Sequence, residues 1–236
     1  ACLPPLPVTP PREKLPPKAC DTHAHVFGPA DRFPYAENRS YTPPDAPLQN
    51  YLGMLDALGF ARGVLVQGSA HGRDNSAMLD ALQREPARLR GVAVADADVA
   101  AGTLRQWHVL GVRALRFNHF FRGGQLHYRG GIPLGVAETH AAVMAELGWH
   151  LQLWIDVKDL SDTIPALKAL RAQLPAGSRA VHLGATSQDV VDSALMVMVG
   201  RVGAILAEDL AAAFPKEQLP WAIRAEEALA DGRTLE

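Results

Sequence analysis

Residues 18–27 read Lys18-Ala19-Cys20-Asp21-Thr22-His23-Ala24-His25-Val26-Phe27, and they open the patterned part of the chain. The stretch reads as a first strand that ends in polar residues. Side chains alternate between the two faces of a strand, so histidines at i and i+2 project to one side. Both can then meet one cation or one substrate group, and imidazole is the commonest ligand for zinc-like ions. An isolated H-x-H is weak, because histidines also sit satisfied on surfaces and in cores. Its place at the end of the first strand of a repeating pattern gives it weight.

That pattern runs downstream. DAPLQNYLGMLDALG (45–59) has helical spacing, with Asp45 as N-cap and Gly59 as stop. ARGVLVQG (61–68) reads as a second strand and RDNSAMLDALQREP (73–86) as a helix closed by Pro86. A third strand, RLRGVAVAD, precedes the helix around AAGTLRQWHVLG. VRALRFN is a fourth strand, GVAETHAAVMAELG a helix, and HLQLWIDV a fifth strand. KDLSDTIPALKALRAQLP reads as a helix that Pro165 can kink, and SRAVHLG as a sixth strand. Strands alternating with helices at this spacing indicate βαβ units and a parallel sheet buried on both faces. Polar residues collect at the strand ends: His23, His25, Gln67, Ser69, Arg116, Asp156 and His182. In an α/β barrel that end carries the chemistry. A doubly wound sheet fits the periodicity too, but no glycine-rich phosphate fingerprint follows the first strand.

Upstream, residues 1–17 are dense in proline and read as an extended arm outside the core. Cys2 and Cys20 make no disulfide framework, and with no charged-then-apolar leader the expected compartment is a reducing cytoplasm. A net charge of −2 gives no electrostatic case for nucleic acid or an anionic membrane, and no apolar run approaches the roughly 20 residues of a membrane span. Any anionic ligand must then be met by local arginines.

DTHAHVFGP, RSYTPPDAP, VLVQGSAHGRDN and ALRFNHFFRGG, in that order, resemble the amidohydrolase superfamily. The likeness, over about residues 18–178, is to its branch of 2-pyrone-4,6-dicarboxylate and sulfomuconolactone hydrolases. It implies a TIM-barrel-like α/β fold and a lactone hydrolase of aromatic-compound catabolism. It further implies substrate contacts from Tyr41, Ser69, Arg116 and Arg122, and catalytic roles for His23, His25 and His182. Those three histidines are also the expected ligands of any divalent metal such as zinc. Read without the resemblance, Tyr41 is a loop-packing aromatic and Ser69 a turn residue, while for the arginines an ordinary surface group is the alternative to carboxylate binding. The chemistry agrees with the likeness, since a dianionic lactone needs more than one guanidinium fork. Of the other histidines, His71 is a loop residue near the site, while His108 and His140 lie on helices facing solvent.

The pattern changes after Gly184. HLGATSQDVVD (182–192) resembles a motif of the fumarase/aspartase superfamily, as found in carboxymuconate cycloisomerases and adenylosuccinate lyases, over about residues 180–214. In those enzymes positions matching His182, Thr186, Ser187 and Gln188 help form a shared active site. TSQDVVDSALMVMVGRVGAILAEDLAAAF reads as one long helix, although SALMVMV also passes for a buried strand. No TDWPH-like segment supplies the final-strand aspartate of the hydrolases; Asp189, Asp192 and Asp209 fall in the predicted helix. The expected organisation is an arm (1–17), an incomplete barrel of about six βα units (18–184) and a helical tail (185–236) that self-associates. Two functions compete with a lactone hydrolase: a remnant that binds only anions or a partner chain, and a lyase fragment.

Overall fold

The structure, a computed structural model, describes residues 4–122, 124–126, 130–156, 163–165 and 168. Five strands form one parallel sheet: β1 (Cys20–Ala24), β2 (Arg62–Val66), β3 (Leu89–Ala93), β4 (Val112–His119) and β7 (His150–Ile155). Between them run α1 (Leu48–Leu58), α2 (Ser76–Arg84), α3 (Ala101–Leu110) and α4 (Ala137–Glu146). Each strand pairs with the one before it, in the order β1-β2-β3-β4-β7, with no reversal. A doubly wound sheet reverses its order at a switch point, whereas this winding adds every unit to the same edge and curls the sheet toward a barrel. The expected sixth strand, the helix over 158–175 apart from four helical residues within it, and the tail lie outside the described residues.

Two apolar faces explain the near-continuous hydrophobic strands. Leu65, Leu89, Ala93, Leu115 and Phe117 pack against the helices, joining Leu55, Leu82, Leu104 and Met144 in the main core. Val66, Val92 and Ala114, with Val64, form a small separate cluster on the other face. The cross-strand register Val66↔Val92↔Ala114 and Arg116↔Gln152 places Arg116, two residues beyond Ala114, on that inner face.

Helix ends follow the sequence in part. α1 stops at Gly59, whose φ of +83 is the left-handed value glycine tolerates, and α2 ends just before Pro86. Asp45 does not cap α1. Pro47 occupies the N-cap, and the Asp45 carboxylate accepts from the Tyr35 hydroxyl (2.8 Å) and the Ala30 amide (3.3 Å). At α2 the Asn75 carboxamide is buried and bonds both the N–H (3.0 Å) and the C=O (2.9 Å) of Val94, tying the helix start to the segment after β3. Beyond β4 the glycine-flanked loop is a hairpin, β5 (Phe121–Arg122) with β6 (Gln125–Leu126).

Candidate active site

β1 is shorter than its sequence suggests, and His25 lies just beyond its end. Asp21 anchors this strand: its carboxylate accepts from the His23 amide (3.2 Å) and from the Tyr51 hydroxyl of α1 (2.9 Å). Burial and the Asp21 carboxylate push the Tyr51 hydroxyl well above its ordinary range, so it stays a donor. The hydroxyl reaches Asp21 over Gly63, where a Cβ would stand 2.1 Å from the Tyr51 oxygen.

The two histidines meet as their spacing requires, edge to face with ring centroids 5.1 Å apart. His25 Nδ1 is 2.8 Å from the Val66 carbonyl. A carbonyl only accepts, so Nδ1 carries the proton and the neutral ring keeps its lone pair on Nε2. Burial is the main reason the His25 pKa falls to about 4, with His23 and Arg116 adding like charge. His23 is also lowered, by burial first and then by Arg116. Both imidazoles are therefore neutral near pH 7.

A pocket of about 120 Å³ opens at the C-terminal ends of the strands, lined by His25, Tyr41, Ser69 and Arg116 among others. Four of the seven predicted site residues thus converge from β1, two loops and β4. The Ser69 hydroxyl lies 3.3 Å from that of Tyr41, so these residues, 28 apart in sequence, share a hydrogen bond. The Arg116 guanidinium lies 5.2 Å from the centre of the Trp154 ring, which also stacks on Phe120 at 5.7 Å. His23 stands beside His25 and does not line the pocket. Arg122 has its backbone in β5, its side chain lying outside the described set, and His182 lies outside the described residues altogether.

The sequence left Asn118, Trp154 and Val94 unassigned, yet all three line the pocket, as does Gln67. Alternation was the available signal: Asn118 is i+2 from Arg116 on β4, and Trp154 is its partner across to β7. Gln67 also fixes the loop that carries Ser69, donating to Gly72 O (2.7 Å) and Asp74 O (3.3 Å). His71 proves to be a structural pin. It is buried, with Nδ1 3.1 Å from Pro34 O and Nε2 3.5 Å from the Gly28 amide, and Phe27 stacks on it. The solvent-facing reading of His140 is wrong: it is 2% exposed and its Nε2 donates to Asp96 O at 2.8 Å. His108 is half-buried and accepts from the Trp149 indole N–H at 2.9 Å.

The His23–His25 pair suits an ion. Neutral imidazoles are its preferred donors, and two ligands about one tetrahedral zinc, with Zn–N near 2 Å, stand roughly 5 Å apart by their ring centres. Among the described residues no group of three or more His, Cys, Asp or Glu forms a fuller cluster.

The one-way winding of the sheet and the pocket at its strand ends are those of a barrel-type α/β scaffold, and the family model described as amidohydrolase matches residues 20–188. The chain belongs to the amidohydrolase family. More particularly, it is 38% identical over 174 residues to a 2-pyrone-4,6-dicarboxylate hydrolase of Comamonas testosteroni, covering 74% of this chain and 54% of that protein. A 4-sulfomuconolactone hydrolase of Rhizobium radiobacter is 40% identical over 139 residues, 59% of this chain and 45% of its own length. The crystal structure of a probable 2-pyrone-4,6-dicarboxylic acid hydrolase from Acinetobacter baumannii, with citric acid bound, superposes with a TM-score of 0.54 at 29% identity. That match covers 64% of this chain and 54% of the other. The chain spans about half the length of the curated relatives it matches. A separate match, 45% identical over 80 residues, is to a 3-carboxy-cis,cis-muconate cycloisomerase of Pseudomonas aeruginosa, covering 32% of this chain and 17% of that enzyme.

Proposed function

We propose that this chain acts as a hydrolase on small lactones with two or three carboxylates, of the 2-pyrone-4,6-dicarboxylate or muconolactone type. The observation that carries this reading is the convergence of His25, Tyr41, Ser69 and Arg116 on one pocket. Arg116, held against Trp154, pairs with a substrate carboxylate, and Arg122 takes a second. The Tyr41 and Ser69 hydroxyls donate to carboxylate or ring oxygens. Where no ion is bound, His25, neutral with its Nε2 lone pair free of the backbone bond, takes a proton from the attacking water; an ion on that nitrogen would replace it in this role. His23 and His182 complete the imidazole set. A divalent ion such as zinc would be held by His23 and His25 with His182, and would supply Lewis acidity for the water or the lactone carbonyl. The relatives' names and the citric acid in one of their structures support a small carboxylate ligand.

An anion-binding remnant is the second reading, favoured by one observation: the described pocket lining holds no Asp or Glu to act as a carboxylate base. The arm, barrel and tail boundaries given above, and a tail related to the cycloisomerases that drives self-association, belong to the same proposal. Among the described residues no helix is long and apolar enough to cross a membrane. Ultraviolet loss of 2-pyrone-4,6-dicarboxylate, followed on purified protein with and without added zinc, tests the hydrolase. Turnover in either condition supports it; dicarboxylate binding without turnover selects the remnant.

A further inference from the structure

Gln67 lies just beyond the end of β2 and lines the pocket while only 4% exposed. The peptide that leads into it is fixed on both sides. The Gln67 amide donates to Val92 O at 2.9 Å, and the Val66 carbonyl accepts the His25 Nδ1 proton at 2.8 Å. One peptide unit therefore joins Gln67 to His25 at the pocket wall. The carboxamide is oriented as firmly. Its nitrogen sits on two backbone carbonyls, Gly72 O (2.7 Å) and Asp74 O (3.3 Å), and only the NH2 end can donate to them. Oε1 is then the end left over, and among the described residues nothing donates to it. Nor is it shut away. Among the described residues the shielded side-chain atoms without a partner are Asn118 Oδ1 and Gln152 Oε1, so Gln67 Oε1 reaches open space. In a residue this buried, that space is the pocket it lines.

An acceptor open to the pocket is satisfied by a donor that enters with the reaction. Carboxylates and lactone oxygens only accept, whereas the attacking water brings two O–H groups. We infer that Gln67 Oε1 positions that water, accepting from one O–H while the other points at His25 Nε2. The inference rests on the lactone hydrolase reading and deepens it. His25 takes the first proton, and the water oxygen bonds to the lactone carbonyl carbon. The bond from that carbon to the ring oxygen then breaks, and its electron pair stays on the ring oxygen. The proton on His25 passes to that oxygen. The second water hydrogen remains on the new carboxyl group until solvent takes it. With both O–H groups assigned, a lone pair of the water is aimed at the carbon. Such alignment speeds the chemical step without holding the substrate, so it acts on kcat more than on KM.

The full wild-type chain and two variants are compared by ultraviolet loss of 2-pyrone-4,6-dicarboxylate, with or without zinc, whichever gives turnover. Gln67→Met keeps nearly the length of the side chain and removes both ends of the amide. It is expected to lower kcat about tenfold, the effect of one lost hydrogen bond, with KM little changed. Gln67→Glu keeps an oxygen at the pocket and removes the donors to Gly72 and Asp74, so most of kcat should return. A residue that only braced the loop of Ser69 would behave otherwise, because both variants lose that brace and both would raise KM. Unchanged kcat in Gln67→Met, or a kcat as low in Gln67→Glu as in Gln67→Met, overturns the inference and leaves the hydrolase standing. If the wild type turns over in neither condition, the hydrolase reading and the inference fall together. Should Gln67→Met not fold, kcat of Gln67→Glu against wild type decides: retention supports the acceptor, and loss overturns it.

Discussion

Arg116 and His25 carry opposite demands on one small pocket, and each makes its own prediction. Replacing Arg116 by alanine removes a charge-assisted contact worth about 1.5–3 kcal/mol, so dicarboxylate affinity should drop roughly ten- to a hundredfold in calorimetry. Unchanged affinity would remove the arginine from the site. His25 titrates near pH 4 in the folded chain and near 6.5 when unfolded. Between those values the unfolded chain holds the extra proton, so stability is fully present above pH 6.5 and is lost as pH falls toward 4. Melting of chelator-treated protein at pH 7 and pH 4.5 should therefore show a larger loss in wild type than in His25→Asn. Identical losses would mean that His25 is not the buried neutral base its bond to Val66 implies.

At the scale of elements, two polar ties join helices to the sheet, one of them at the pocket wall. Asn75 satisfies both backbone groups of Val94, a pocket-lining residue. Asn75→Ala leaves two buried backbone groups unpaired, and a loss of about 2–4 kcal/mol is expected in denaturant titration. A loss below about 1 kcal/mol would show that water or a neighbour replaces the amide. The second tie is the Tyr51–Asp21 bond across Gly63. Tyr51→Phe should cost about 1–2 kcal/mol. Gly63→Ala must push the ring aside, so it breaks the same bond and adds steric cost. The double variant Gly63→Ala/Tyr51→Phe should then be less destabilised than the sum of the two singles, because the bond is lost once. Additive losses would separate the glycine from the tyrosine.

For the whole molecule the question is what covers the sheet. The five parallel strands make part of a barrel, and a barrel strand whose edge finds no neighbour exposes unpaired backbone groups. The residues after Gly184 are the segment expected to drive self-association. Deleting them should give insoluble or unfolded protein, and light scattering of the full chain should show more than a monomer. A stable full-length monomer together with a soluble, folded deletion product would mean that the partial barrel stands without its tail.

Hydrophobic periodicity by itself determined the βα units, their order, the glycine stop of α1, and the convergence of polar residues at one end of the strands. Those features depend on the two-residue and 3.6-residue repeats, which are local. Of four pocket members, His25 and Arg116 were legible from their places at strand ends, and Tyr41 and Ser69 only through a resemblance whose motifs keep their order. Only the tertiary structure decided which polar groups are spent on the fold. His71 and His140 read as loop and surface residues and Asn75 carried no reading of its own, yet each is buried on a backbone group more than 18 residues away. Asn118 shows the converse, an unremarked amide left unsatisfied at the pocket wall. Whether a buried polar group is satisfied depends on distant backbone carbonyls and amides, which all residues carry alike. The chain's spelling cannot show those partners until the sheet has curled and brought them into reach.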